Sequence, residues 1–518
     1  MRNVRMVSFL AVCLLLGSSA VAIAAPTNGA TETYLVLYKA RSTPLDAAAS
    51  VARAGGIVVA DYDQIGVVVA QSADASFDER MRADRRVEGA SSTEGFGVRP
   101  FGVQDHDGDG DLPNAPATPD SLAAQQWDMR QIHAFAANQI TGGSPSVVVG
   151  NIDTGLDKDH PDLVSNIDFA KSTSCESGAP DPDPAAWDDR HGHGTHTAGT
   201  VAAADNGFGI TGVAPNVRLA GIKASTDEGY FLPHMVVCAF MWAGTQKLDV
   251  TNNSYFADPF LFNCRNDAEQ RAIWKATQRA ISFALSEGVT VVAAEGNQSD
   301  DLSHPSYDNI SPDFPPGEEI ERTDITNACV VIPVEIPGVT GVTAVGNHRQ
   351  TDGNDDPDDY QKSFYSSYGV STADLTAPGG DSRQPTAEAP NGRVLSTWPA
   401  EVQCARSESV GGSTYCYAQG TSMASPHVAG VAALIISMYG DGSTPQNGKL
   451  RPQQVESHLQ QTADKQPCPT ELPPNYPLRP GPDAQPQECQ GGEGHTSWYG
   501  AGQVNALRAV QHDAGATP

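Results

Sequence analysis

Val147-Val-Val-Gly-Asn-Ile-Asp153-Thr-Gly155 is an apolar run that ends on a carboxylate and breaks at a glycine. A run without polar alternation suits a strand buried on both faces of a sheet. Comparable runs recur at Val217–Lys223, Asp249–Ser254, Val289–Ala294 and Val342–Val345. Between and after them lie segments of helical character, His193–Ala204, His234–Ala243, Asp267–Glu287, Ser422–Tyr439 and Gln453–Thr462. Strands alternating with helices predict an α/β fold, a mostly parallel sheet with helices on both faces. Ligands of such sheets sit beyond the carboxyl ends of the strands, where Asp153 falls.

Two more segments put reactive groups at helix starts. Arg190-His-Gly-His193-Gly-Thr-His196-Thr-Ala-Gly199 opens a helix of small residues with histidines. Gln419-Gly-Thr-Ser422-Met-Ala-Ser-Pro-His427-Val-Ala-Gly430 opens a long apolar helix with a serine. Taken singly, each has a plain use as a turn aspartate, a packed histidine or an N-cap serine. Zinc is disfavoured because neither H-E-x-x-H nor C-x-x-C occurs. Taken together, they supply a nucleophile, a base and an orienting carboxylate. A serine hydroxyl attacks poorly near neutral pH until an imidazole takes its proton. A buried carboxylate fixes the tautomer of that imidazole and stabilises its cation. The oxyanion that follows needs hydrogen-bond donors. Val291-Val-Ala-Ala-Glu-Gly296-Asn297 offers a side-chain amide at another strand end, and the Ser422 backbone N–H offers a second donor.

With its groups in the order Asp, His, Ser, the chain resembles the subtilases, the subtilisin-like serine peptidases. The resemblance rests on D-T-G at Asp153, H-G-T-H from His193, G-N ending at Asn297 and G-T-S-M-A-S-P around Ser422. It covers Gln125 to Val510, including the ending Trp498-Tyr-Gly-Ala-Gly-Gln-Val-Asn-Ala506, and leaves no C-terminal binding domain to expect. It implies a serine endopeptidase that works through an acyl-enzyme. Ser422 would be nucleophile, His193 base and then acid, Asp153 orienter and Asn297 oxyanion donor, with His196 and His427 structural. Polypeptides would be the substrates, and Ser254, Tyr255, Phe256, Ala294, Glu295 and Gly296 would bind them. Tyr255 and Phe256 replace the family's Leu-Gly and would reshape the specificity pocket. Glu295 replaces a small residue, so its carboxylate would meet either a basic substrate side chain or solvent. The resemblance also implies a structural Ca²⁺ held by the side chains of Asp162 and Asn206 and the carbonyls of Ala204, Phe208 and Ile210. All of these are hard oxygen donors.

Upstream, residues 32–92 read as β-α-β-β-α-β, a ferredoxin-like α+β unit. This unit resembles the inhibitor-type propeptides of the same family, which implies a self-processed zymogen with its propeptide as intramolecular inhibitor. The expected division is 1–24 signal peptide, 25–95 propeptide, 96–124 acidic linker with the processing site, and 125–518 peptidase domain. In the linker, Asp105, Asp107, Asp109 and Gly110 match half of a calcium loop. Pro116 stands where that loop needs a bidentate Glu, so an acidic linker is the reading. Arg2 and Arg5, the apolar run Met6–Leu16 and Ala22-Ile-Ala24 form a secretory signal with cleavage after Ala24. That run is shorter than the ~20 residues a membrane span needs.

Export agrees with the cysteines. Beyond Cys13 there are eight, an even number that suits disulfides in a secreted chain. Cys404 with Cys416, and Cys468 with Cys489, are the expected short loops, the second stapling a Pro-rich excursion. Cys175, Cys238, Cys264 and Cys329 stay unassigned. Lys+Arg number 32 and Asp+Glu 62 over 518 residues, so the formal charge is 32 − 62 = −30. That charge argues against nucleic-acid partners and against an anionic membrane surface. A secreted monomer is expected. The competing reading is a non-catalytic exported binding protein on a subtilase scaffold, weakened because every catalytic position is filled. A third is a narrow processing peptidase.

Overall fold

Five strands of the main sheet are the expected apolar runs, and Tyr360–Lys362, Thr173–Ser174 and Leu375–Pro378 are additional. Its strands lie in the order Tyr360–Lys362, Val339–Arg349, Thr290–Ala294, Val250–Asn253, Val148–Asp153, Arg218–Lys223 and Thr173–Ser174. Leu375–Pro378 also pairs with Val339–Arg349. All pairings are parallel except that of the edge strand Tyr360–Lys362. The computed structural model describes residues 31–93, 120–311, 319–350, 359–440 and 449–511, the last without 474, 475, 483 and 493. The expected signal segment, the Asp105–Pro116 motif, most of the expected linker and residues 312–318 lie outside the described residues.

Both faces of the sheet are covered, which is why its strands carry Val and Ala without alternation. On one face lie the histidine helix, His193–Ala202, and the serine helix, Thr421–Tyr439. Their small residues allow close approach, and Val201, Ala424, Val428 and Val431 share one core with Val149, Val292 and Val342. On the other face lie helices Pro233–Thr245 and Ala268–Ser286, with Val236, Phe240, Ala276 and Ala280 packed against Val148, Ile222 and Val291. Asp267 caps the second of these by accepting from the backbone N–H of Glu269 and Gln270, both at 2.9 Å. Both expected disulfides form, Cys404–Cys416 and Cys468–Cys489. The unassigned four pair as Cys175–Cys238 and Cys264–Cys329.

The N-terminal unit runs Glu32–Tyr38, Ala47–Ala54, Gly56–Tyr62, Val67–Ser72, Phe77–Arg82 and Val87–Ser92, strand-helix-strand-strand-helix-strand. Its antiparallel strands lie second, third, first, fourth in the sheet. Its first strand alternates with a purpose. Tyr34, Val36 and Tyr38 face the unit's own helices with Val51, Phe77 and Met81. Leu35 and Leu37 join Val67, Val69 and the large core beneath helices Pro233–Thr245 and Ala268–Ser286. The sheet of this small unit therefore buries its second face on the larger domain.

Candidate active site

Asp153 and His193 reach each other because one ends a central strand and the other starts a helix packed above it. His193 Nδ1 is 2.7 Å from Asp153 Oδ1. The Asp153 carboxylate is wholly buried and also accepts from Thr154 N at 2.8 Å and Thr197 Oγ1 at 3.3 Å. Burial works against a charge on His193, but the Asp153 carboxylate outweighs it and holds the imidazole above its ordinary pKa. With Nδ1 committed to Asp153, Nε2 is the nitrogen left for a substrate-side proton, and it has no hydrogen-bond partner. Gly192 begins this helix at φ +100°, and the Trp398 ring lies 2.4 Å from where a Cβ there would sit. A glycine is needed on both counts.

Ser422 lies in the first turn of its helix, where backbone N–H groups lack intrahelical acceptors. Its hydroxyl donates to the Ser254 carbonyl at 3.0 Å and not to His193, while the Ser254 hydroxyl donates to the Ser422 carbonyl at 2.9 Å. The sequence gives no sign of this pairing, because it depends on the rotamer of one side chain. Below it, a buried amide bridge ties the two helices together. Asn151 Nδ2 donates to Gly194 O, Asn252 Nδ2 to Asn151 Oδ1, and Ser425 Oγ to Asn252 Oδ1. Asn297 Oδ1 accepts from Thr421 N at 2.9 Å and Thr421 Oγ1 at 3.1 Å. A backbone N–H can only donate, so the oxygen is identified and Nδ2 is left as the free donor of that amide, next to Gly420. His196 is held by the carbonyls of Cys416 and Val394, and burial pushes it down to about 3. His427 pairs with Asp128 at 3.0 Å.

Two pocket expectations need correction, those for Tyr255 and Glu295. Tyr255 turns inward, stacks on Phe231 with ring centres 4.1 Å apart, and donates to Asn253 Oδ1. Phe256 packs against the same core, half-buried. Glu295 meets neither substrate nor solvent. Successive strand residues point to opposite faces, and Glu295 goes inward, fully buried, with Glu335 and Asp374 as its charged neighbours. Gly341 must be glycine here, because a Cβ would lie 2.6 Å from Glu295 Oε1 and 2.1 Å from Thr372 O. Burial, reinforced by Glu335 and Asp374, raises the Glu295 carboxyl well above its usual range.

The loop after the histidine helix gathers oxygen atoms. Asp162 accepts from Asn206 Nδ2 at 3.1 Å, Ile210 N at 3.0 Å and Tyr415 OH at 2.8 Å. Burial pushes its carboxyl up to about 6, and Asp120 adds to the rise. Asp120 falls within the expected linker, yet it is buried and accepts from the Thr211 hydroxyl. Asp162 and Asp120 are two buried, interacting carboxylates, hard oxygen donors of the kind a divalent cation takes. The Asn206 NH₂ group now faces Asp162 where a cation's charge would serve better.

The subtilase family model, Peptidase_S8, matches residues 144–502. The chain belongs to the subtilase family and is a serine peptidase of the subtilisin type, acting on polypeptides. Subtilisin DY of Bacillus licheniformis is 31% identical over 320 residues, 61% of this chain and 84% of that protein. M-protease of Shouchella clausii is 28% identical over 388 residues, 74% of this chain and 70% of that protein. The crystal structure of the epidermin leader peptide processing serine protease of Staphylococcus aureus superposes with TM-score 0.64 at 19% identity, covering 94% of this chain and all (100%) of that one. At that identity it speaks for the fold alone.

Proposed function

We propose that the protein is a secreted serine endopeptidase, made as a zymogen, with Asp153, His193 and Ser422 as its triad. The observation that carries the reading is the His193–Asp153 hydrogen bond of 2.7 Å, which leaves Nε2 without a partner at the start of the domain's active-site helix. A serine side chain moves readily between staggered χ1 wells, and catalytic hydrogen bonds are commonly loose before substrate binds. Rotation of Ser422 away from Ser254 O would let Nε2 take the hydroxyl proton as Oγ attacks the peptide carbonyl. The resulting oxyanion would be met by Asn297 Nδ2 and the Ser422 N–H. His193 would then protonate the leaving amine, and water would repeat the sequence on the acyl-enzyme.

The N-terminal unit serves in this reading as the intramolecular inhibitor. Its support is the sheet face that Leu35, Leu37, Val67 and Val69 bury on the peptidase domain. Ca²⁺ would be held by Asp162, Asn206 and the carbonyls of Ala204, Phe208 and Ile210, with Asp120 as a further carboxylate. Its chemistry there is neutralisation of buried carboxylates. Ser422→Ala tests the whole reading. We expect no peptidase activity and a full-length product with the N-terminal unit attached. Normal activity and processing in that variant would end the triad assignment.

A further inference from the structure

Lys362 is fully buried at the end of the edge strand Tyr360–Lys362. Its Nζ donates to the carbonyls of Ser366 at 2.6 Å and Ser363 at 3.1 Å. The same atom lies 5.2, 5.6 and 5.3 Å from the ring centres of Tyr368, Tyr476 and Trp498. A cation over an aromatic face is held by the ring quadrupole, most strongly where water is excluded. Burial pushes the Lys362 amine well below its ordinary range, and a buried amine without partners is expensive. The three rings therefore fix Nζ in one place, and Nζ fixes the carbonyls of the 363–366 turn.

That turn is the seat of the oxyanion segment. Ser367 N donates to Gly296 O at 2.9 Å and Ser299 N to Tyr365 O at 2.8 Å. Tyr368 N donates to Asp300 O at 2.9 Å, Leu302 N to Tyr368 O at 2.7 Å, and Ser299 Oγ to Phe364 O at 3.0 Å. Asn297 lies inside this seam, one residue from Gly296 and two from Ser299. We propose that Lys362 is a positioning residue for the oxyanion donor. The caged Nζ holds the 363–368 turn, and the turn holds Gly296–Leu302 so that Asn297 Nδ2 stands at the cleft. Tyr476 closes the cage and donates to Lys362 O at 2.8 Å. It belongs to the excursion stapled by Cys468–Cys489, so this disulfide-closed segment meets the turn at Lys362, beside Gln487 Nε2, which donates to Phe364 O at 3.2 Å.

The proposal rests on Asn297 acting as oxyanion donor. Lys362→Met keeps the length of the side chain and removes its hydrogen-bond donors. The test measures kcat and KM for this substitution in the native background and again beside Asn297→Ala, on full chains matured by native enzyme in trans where needed. In the native background kcat should fall about tenfold or more with KM nearly unchanged, part of the 10²–10³ that loss of a whole donor costs. Beside Asn297→Ala the same substitution should cost less than about twofold, because the group it positions is gone. Equal losses in the two backgrounds, or no loss in either, overturn the positioning role. An unchanged kcat for Asn297→Ala alone overturns the oxyanion reading instead, and the proposal with it. If Lys362→Met yields no folded enzyme by melting and fluorophosphonate labelling, Tyr476→Leu, which removes one ring of the cage, is put through the same comparison and decides the matter.

Discussion

At the scale of single residues, the proposed base His193 carries the prediction for pH response. Only the neutral imidazole can take a proton, so activity is lost as pH falls through its pKa. Asp153 holds that value above the ordinary 6.5, so the acid limb of kcat/KM is expected above pH 6.5. A limb below that pH would contradict the pairing. Asp153→Asn should leave the fold intact and cut kcat about ten-thousandfold, read by steady-state kinetics. The polar identities of this site are legible in the sequence, because aspartate, histidine, asparagine and serine fall at strand ends and helix starts. Directions are less so. Whether Glu295 faces the cleft or the core turns on strand alternation at one position. Tyr255 is drawn inward by the Phe231 ring, which lies in a segment of no clear pattern.

Among elements, the contact between the N-terminal sheet and helix Ala268–Ser286 carries the zymogen account. Arg279 of that helix is buried and donates to the carbonyls of Tyr38 and Ile65, both at 2.9 Å, and pairs with Glu88 at 3.2 Å. Arg279→Ala leaves two buried carbonyls short of a donor, at about 1–3 kcal/mol each. Inhibition of mature enzyme by the added N-terminal unit should weaken at least about tenfold, measured as a Ki. An unchanged Ki would remove this interface from the inhibitory role. The strand-helix order of both units is legible because hydrophobic period and glycine breaks are local signals. Which distant cysteines meet is not local. Cys175 pairs with Cys238 and Cys264 with Cys329 because helix Pro233–Thr245 and strand Asn263–Cys264 are brought beside their partners by the tertiary fold. Asp120 is a similar case, a residue of a polar stretch that the chain folds back onto the Asp162 loop.

For the molecule as a whole, buried carboxyls set how stability varies with pH. Burial pushes Glu335 up to about 8 and Asp374 up to about 7, against ordinary values near 4. Between pH 6.5 and 8 the folded state keeps protons that the unfolded state has lost, so stability falls as pH rises. The slope is about 1.4 kcal/mol per pH unit for each retained proton. Denaturant titration of the Ser422→Ala protein should show a loss of about 2 kcal/mol or more over this window, and Glu335→Gln should make that loss smaller. A flat or rising profile would count against these burials. Chelation should lower the melting temperature of the native protein, and Asp162→Asn should remove that response. A melting temperature indifferent to chelator would speak against the calcium loop. The central claim is itself one of long-range folding, since Asp153 and Ser422 stand 422 − 153 = 269 positions apart in sequence. Its most direct measurement is peptide mapping after fluorophosphonate treatment. The account expects the adduct on Ser422 of native protein and none in His193→Ala or after denaturation. An unlabelled Ser422 in folded, processed protein, or equal labelling without His193, would contradict it.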